Sequence, residues 1–429
     1  MKLPLQTGRR MKRPALAGAV ATALLVTVMT PSSTTLALGN RPLAAAPGLI
    51  APHRDSSAPE ALLAQTLLAI TSSQFDIALT EIDRVLRDYP NFRLAHLIKG
   101  DLLIARSRPI NNIGAASDAP VERIADLRAE AQARLIRHKQ ERPGSRMPSN
   151  LLQLDPEQKY AFVVDTSKYT LYVFENNNGT PRYVADYYTT IGRNGIDKNR
   201  EGDKKTPLGV YHVTSNLPRD QLNRTYGITQ SELYGNGAFP INYPNEWDRR
   251  QGRNGSGIWL HGVPYDTYSR PPRASDGCVA LSNEDLQAIT PRVQVGVTPV
   301  IIASDITWVD PGTTQDIRNA LQKSVDAWRH DWESRDTDKY LLHYAPGFAS
   351  GKQDLAAWAQ QKRAVNAGKT WIKVKVDRVS MFLYPGNDNL AVVTFDQDYA
   401  SSNLDNKMRK RQYWQRENGA WRIIHEGAA

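Results

Sequence analysis

Apolar residues recur at helical spacing in the first part of the chain and at alternate positions from about Tyr160 onward. Leu63, Leu67 and Ile70 make one apolar face, and Ile77, Ala78, Ile82, Val85 and Leu86 make a second. Leu94, Leu97, Ile98 and Leu102 make a third, so Glu60 to Ile104 is expected to be helical, followed by a charged, arginine-rich helix over Val121 to Gln140. The period then changes to two. Ala161–Asp165 and Thr170–Phe174 are predicted strands joined by a polar turn, and Asn176-Asn177-Asn178-Gly179 is a hairpin turn. Up to Ser304, strands alternate with glycine-rich loops, and Val297 to Ile302 closes the block. A single helix is expected within it, from Asn283 to Ile289, with Ser282 as its cap and Glu284 and Asp285 in its first turn. After Pro311-Gly312 a third block begins. Ile317, Leu321, Val325, Trp328 and Trp332 lie at helical spacing, and strands are predicted at Trp371–Leu383, Leu390–Ser401 and Lys407–Gln415. A further strand, Trp421–His425, follows the Asn418-Gly419 turn.

The pattern gives a multidomain chain. Its parts are an α-helical region over residues 57–140, a mostly-β domain over 158–304 with a site built from loops, and an α+β domain over 313–427 expected to fold on its own. In the last of these, Trp328, Trp332, Trp358, Tyr340 and Phe348 either fill the core or line a pocket. The basic run Lys407, Arg409, Lys410 and Arg411 reads as a solvated edge strand or as a contact for an anionic glycan.

The N-terminus changes the picture of where the chain works. Arg9, Arg10, Lys12 and Arg13 precede an apolar run from Ala15 to Met29, and small residues follow near Ala37 and Gly39. Residues 1–39 therefore read as a secretory signal, cleaved or kept as an anchor, which implies export to a periplasm or cell envelope. Arg9-Arg10 hints at twin-arginine export, but Met11-Lys12 departs from that motif. Formal charge is +10, and without those 39 residues 49 basic residues face 44 acidic ones. So modest an excess does not point to nucleic acid and suits an acidic envelope surface.

Candidate chemistry centres on the one cysteine of the chain, Cys278, in Ser275-Asp276-Gly277-Cys278-Val279. It cannot form an internal disulfide, and the scattered histidines offer no zinc-ligand spacing, so no metal or cofactor is expected. The thiol is either a small buried hydrophobe or a nucleophile. A nucleophile needs a base to take its proton or to hold it as a thiolate–imidazolium pair, and His261 in Trp259-Leu260-His261-Gly262 is the candidate; alone, it would read as a hydrogen-bonded histidine at a strand end. Gly277 permits a tight turn that aims the backbone N–H groups of Gly277 and Cys278 at a developing oxyanion.

The pattern His261-Gly262 followed by Ser275-Asp276-Gly277-Cys278-Val279 resembles the signature of the YkuD-type L,D-transpeptidase catalytic domain. So do Ile191-Gly192-Arg193-Asn194-Gly195, Glu201-Gly202-Asp203 with Thr206-Pro207-Leu208-Gly209-Val210-Tyr211, and Tyr243-Pro244-Asn245-Glu246-Trp247-Asp248. The resemblance implies that Cys278 attacks a peptidoglycan stem peptide at the bond joining its third residue to the terminal D-alanine, with His261 as general base and acid. Gly262 would orient His261 through its carbonyl, and Ser275 would support the loop. The acyl group then passes to an amine of another stem, to a lipoprotein lysine or to water. Many members carry an arginine two residues after the cysteine, where this chain has Ala280. A small residue there resembles the murein L,D-transpeptidase subgroup that includes L,D-carboxypeptidases setting the shape of helical cells. Ala280 also leaves a third reading, a non-catalytic glycan- or partner-binding envelope protein. Gln74 to Ala95 resembles one tetratricopeptide unit, and the last block resembles the SnoaL-like cone of the nuclear-transport-factor superfamily.

Overall fold

The computed structural model describes residues 58–110, 112–115 and 120–429; the expected signal over residues 1–39 and the linker after it lie outside the described residues. Among the described residues no helix is long and apolar enough to cross a membrane.

Four helices, Ala58–Thr71, Phe75–Asp88, Arg93–Ala105 and Val121–Lys139, open the described chain. Leu63, Leu67, Ala78, Ile82, Val85, Leu94, Ile98 and Leu102 bury together. Ile77, expected on the apolar face, is instead 52 % exposed. It falls in line with Glu81, Arg84 and Asp88 on the solvent side of its helix, and Leu79 takes the buried place.

The middle block is a sandwich of two sheets. The larger runs Thr180–Tyr188, Thr170–Asn177, Tyr160–Asp165, Pro299–Ala303, Gly209–His212. The hairpin of Thr170–Asn177 with Thr180–Tyr188 turns at Asn178 and Gly179, both with positive φ, as the asparagine–glycine signal requires. Tyr160–Asp165 and Pro299–Ala303 pair in parallel, which places a strand from the end of the block inside the sheet, beside its central strand. The smaller sheet runs Val279–Ala280, Trp259–His261, Gly237–Pro240, Leu217–Pro218. Along the central strand Phe162 and Val164 point to the smaller sheet, where they meet Leu260, Val279 and Leu286. The alternate residues Ala161 and Val163 point the other way, so both faces of the strand are buried.

The helix Asn283–Ile289 stands as expected, capped by Ser282, whose hydroxyl accepts from the Asp285 N–H at 3.1 Å. The expectation of a single helix fails: Arg219–Tyr226, Ile228–Ser231 and Glu246–Arg250 are helical too. All three are too short for apolar periodicity to register, and the last is set by an Asn245/Asp248 capping box.

The C-terminal block packs the helix Gln315–Glu333 into a curved sheet ordered Leu151–Gln153, Ile372–Tyr384, Asn387–Ser401, Leu404–Glu417, Ala420–Ala428. Two further helices, Thr337–Leu341 and Leu355–Ala367, complete it. Trp328, Trp332, Tyr340 and Phe348 are core, with Trp358 packed beside them.

Two expectations about this block are corrected. First, it is not self-contained. Its sheet takes an edge strand, Leu151–Gln153, from the segment before the sandwich. The sheet's other face, with Phe382, Tyr384, Val392 and Tyr413, shares one core with Val163, Phe174, Val210 and Ile301 of the sandwich. Second, only the Lys407 end of the basic run is a solvated edge, because from Lys410 onward the strand is paired on both sides. Lys410 points inward to Glu426 at 3.0 Å. Arg409 reaches Asp155 at 2.7 Å, and Arg411 reaches Glu246 at 3.0 Å. Period-two alternation splits the run between the interior and the sandwich, which a count of charges along the chain does not reveal.

Candidate active site

Cys278 and His261 come from adjacent strands of the smaller sheet. Leu260 pairs with Val279 and His261 with Ala280, in parallel. Carrying the register back one residue puts Cys278 opposite Trp259. Leu260 and Val279 point into the sandwich core, so Trp259, His261, Cys278 and Ala280 share the opposite face. His261 and Cys278 are then diagonal neighbours on one face of the sheet.

The imidazole is buried, and its Nδ1 lies 2.6 Å from the Gly262 carbonyl oxygen. A carbonyl only accepts, so this bond requires the proton on Nδ1 and leaves the Nε2 lone pair free. Burial, with a smaller push from the nearby Arg270, lowers the histidine to about 4, while the Gly262 bond acts in the opposite sense. His261 is thus a neutral base at pH 7. Cys278 is half-buried, and its enclosed surroundings push the thiol up to about 11 against the pull of the Trp259 backbone N–H. Its Sγ also lies 3.3 Å from the Gly257 carbonyl oxygen. The resting site is therefore a neutral thiol beside a neutral imidazole rather than a thiolate–imidazolium pair.

The turn before Cys278 is fixed by hydroxyls. Ser275 Oγ donates to the Cys278 carbonyl at 2.6 Å and accepts from the Gly277 N–H at 3.1 Å. That second bond occupies the Gly277 N–H, one of the two expected oxyanion donors, and leaves the Cys278 N–H as the remaining candidate. Thr206 joins the turn to the preceding loop: its Oγ1 donates to the Gly277 carbonyl and accepts from the Gly192 N–H, both at 2.9 Å. Gly277 has φ +124°, and a Cβ there would stand 2.7 Å from the Lys205 carbonyl. Gly262 is equally constrained, since a Cβ would collide with Asn283 Oδ1. The loop carrying Thr206 is braced by Asp203, which accepts from Lys198 Nζ and from the Asn199, Arg200 and Lys205 N–H groups. Burial opposes ionisation of Asp203, but the Lys198 and backbone bonds prevail and hold its carboxyl well below the usual range.

Sequence reasoning gave no role to several groups around the pair. Tyr234 meets the His261 ring edge-on at 5.2 Å and the Trp259 ring at 4.8 Å, and Tyr226 lies 5.9 Å from Trp259. These aromatics wall one side of the site. Thr206 sat within a motif already noted, so its position, though not its bonds, was legible. Tyr226 ends the short helix Arg219–Tyr226 and Tyr234 ends a single 3-10 turn, Glu232–Tyr234, both too short for periodicity to register. Among the described residues no cluster of His, Cys, Asp or Glu is arranged to hold a metal.

The loop between His261 and Cys278 is anchored in the helical region. Tyr268 packs among the helices' core residues, and Ser269 donates to Glu130 at 2.5 Å. Glu130 also holds Arg134, which pairs with Glu60 and lies 4.0 Å from the centre of the Tyr188 ring. Asn91 donates to the Tyr265 carbonyl at 2.8 Å, and Arg93 pairs with Asp266 at 2.9 Å.

Residues 159–302 match the L,D-transpeptidase catalytic domain family, YkuD, and residues 320–427 match the Cds6 C-terminal NTF2-like domain. The chain thus carries a β-rich L,D-transpeptidase catalytic domain, of a cysteine-dependent cell-wall enzyme family that acts on peptidoglycan stem peptides, followed by an NTF2-like domain. Among solved structures it is similar to Bd1075 of Bdellovibrio bacteriovorus, with 28 % identity and TM-score 0.56 over 66 % of this chain and 98 % of that one. It is also similar to the helical cell shape determining protein Pgp2 of Campylobacter jejuni, with 25 % identity and TM-score 0.54 over 65 % of this chain and 95 % of that one. No curated protein matches the chain.

Proposed function

We propose that this protein is an exported L,D-transpeptidase that remodels the cell wall through a Cys278 acyl-enzyme on peptidoglycan stem peptides. The observation that carries the reading is the commitment of His261 Nδ1 to the Gly262 carbonyl, which leaves Nε2 as a base on the face that holds Cys278. As a stem peptide enters, Nε2 takes the thiol proton and Sγ attacks the carbonyl carbon that precedes the terminal D-alanine. Negative charge moves to the carbonyl oxygen, toward the Cys278 N–H. Collapse breaks the C–N bond, and the leaving amine takes the proton back from Nε2. A thioester remains on Cys278. An amine of a second stem or of a lipoprotein then attacks the thioester and yields its proton to His261, which returns it to the departing thiolate.

Water as the acceptor gives the second reading, an L,D-carboxypeptidase that trims tetrapeptide to tripeptide stems. It is favoured by the similarity to a helical cell shape determining protein over almost the whole length of that chain, and by Ala280. The helical region, with its tetratricopeptide-like stretch Gln74 to Ala95, serves in either reading as an arm that braces the site.

The test is to incubate the protein with disaccharide tetrapeptide and identify products by mass. A dimer joined between two third-position residues supports transfer, and tripeptide alone supports hydrolysis. Cys278→Ala and His261→Ala should each lower product formation by several orders of magnitude. Activity retained in Cys278→Ala removes the mechanism.

A further inference from the structure

Arg270 belongs to the loop between His261 and Cys278, and its backbone is tied down beside the thiol. Tyr188 Oη and Thr190 Oγ1 both donate to its carbonyl at 3.1 Å, and Thr190 Oγ1 also reaches the Pro271 carbonyl at 2.9 Å. Thr190 exchanges both backbone hydrogen bonds with Ala280, at 2.8 and 2.9 Å. The Arg270 backbone is therefore tied through Thr190 to Ala280, on a loop fixed at its other side by Tyr268 and Ser269.

The side chain is partly buried, and among the described residues no hydrogen bond or ion pair reaches its guanidinium. Other enclosed arginines here have partners: Arg134 has Glu60 and Glu130, Arg137 has Asp186, and Arg253 has Asp248. Arg193, close to Arg270, has Asp276 at 2.8 Å. Arg270 lies within electrostatic reach of Cys278 and His261, and also of Asp276 and Asp266, whose ion pairs are made with Arg193 and Arg93 rather than with Arg270. Withdrawing a cation from water without a carboxylate is costly, and the cost is recovered when a ligand supplies the anion. Ala280 occupies the strand position opposite His261 with a methyl group, so no side-chain cation comes from that position.

We propose that Arg270 binds the C-terminal carboxylate of the peptide whose last residue is released, and so restricts the site to chains ending in a free acid. The assignment rests on the reading of the site as one that cleaves before a terminal residue. A guanidinium meets a carboxylate with two parallel N–H···O bonds, which fixes the peptide's end and hence the scissile carbonyl relative to Sγ. An amide at the same place offers one acceptor, no charge and an N–H₂ facing the cation.

The experiment measures binding of the disaccharide tetrapeptide and of its C-terminal amide to the full chain carrying Cys278→Ser, which prevents turnover. Three forms are compared: Arg270 intact, Arg270→Lys and Arg270→Ala. With Arg270 intact the acid should bind about 10- to 100-fold more tightly than the amide. The preference should shrink with lysine, which keeps the charge without the fork, and vanish with alanine. Equal binding of acid and amide with Arg270 intact, binding of neither, or an undiminished preference in Arg270→Ala overturns the assignment. Acid preference in the Cys278→Ser protein, together with no release of the terminal residue by the protein with Cys278, overturns the reaction and leaves the role of Arg270 standing.

Discussion

Tyr268, on the loop that leads to Cys278, packs against Phe92 of the helical region with ring centroids 4.5 Å apart. The same ring meets Tyr89 edge-on at 5.0 Å. The catalytic domain thereby inserts a side chain of its active-site loop into the core of another domain.

Removing that ring should loosen the loop while leaving Cys278 and His261 themselves in place. Tyr268→Ala leaves a cavity among Phe92, Leu94 and Leu67, a loss of about 3–5 kcal/mol for a buried aromatic. The expected result is a large fall in kcat with an unchanged far-UV spectrum of the sandwich, and faster proteolysis between Val263 and Ser275. A variant with wild-type kcat and wild-type loop protection would show that the helical region does not position the site.

The protonation states give a pH signature. His261, buried and neutral, must stay unprotonated, so kcat/KM should be level from about pH 5 upward and fall as pH drops toward about 4. Alkylation of Cys278 by iodoacetamide should rise about tenfold per pH unit between pH 7 and 9, because the thiol titrates only near 11. A rate level over that range would indicate a preformed thiolate. Stability follows the same group. An unfolded histidine takes a proton below about 6.5, whereas the folded one waits until about 4, so its contribution is complete above the first value and lost as pH falls between them.

Gly277→Ala tests the turn. The added Cβ would sit 2.7 Å from a backbone oxygen at a φ of +124°, so the Lys205–Thr206 segment or the Cys278 backbone must move. A displacement near one ångström at the nucleophile costs roughly 100-fold in rate. Product formation from tetrapeptide measures it. A variant within a factor of three of the parent would show that this turn does not set the position of the thiol.

Truncation after Asp310 tests the shared core. Removing the C-terminal sheet exposes Val163, Phe174, Val210 and Ile301 and leaves Leu151–Gln153 without a partner strand. The truncated chain should aggregate or lose the cooperative unfolding of the parent. Arg411→Ala, a milder change that leaves Glu246 with only the Tyr413 hydroxyl, should cost about 2 kcal/mol in chemical denaturation. A soluble, cooperatively folding truncation would show that the sandwich can do without the buried face.

By itself the sequence determined the order of the three blocks, the capped helix at Asn283, the Asn178-Gly179 turn, the Trp-rich face of Gln315–Glu333, and Cys278 and His261 as the residues to watch. Each rests on neighbours close along the chain or on a rare residue type, and such signals survive without knowledge of packing. Only the tertiary structure decided that Leu151–Gln153 completes a sheet more than two hundred residues away, and that Arg409 and Arg411 turn toward the sandwich while Lys410 turns inward. It alone placed Tyr268 in the helical core, set Thr206 against Gly277, and left Arg270 unpaired beside the thiol. These relationships join residues distant in sequence. Strand pairing and burial create them by bringing together groups that no local period or spacing relates.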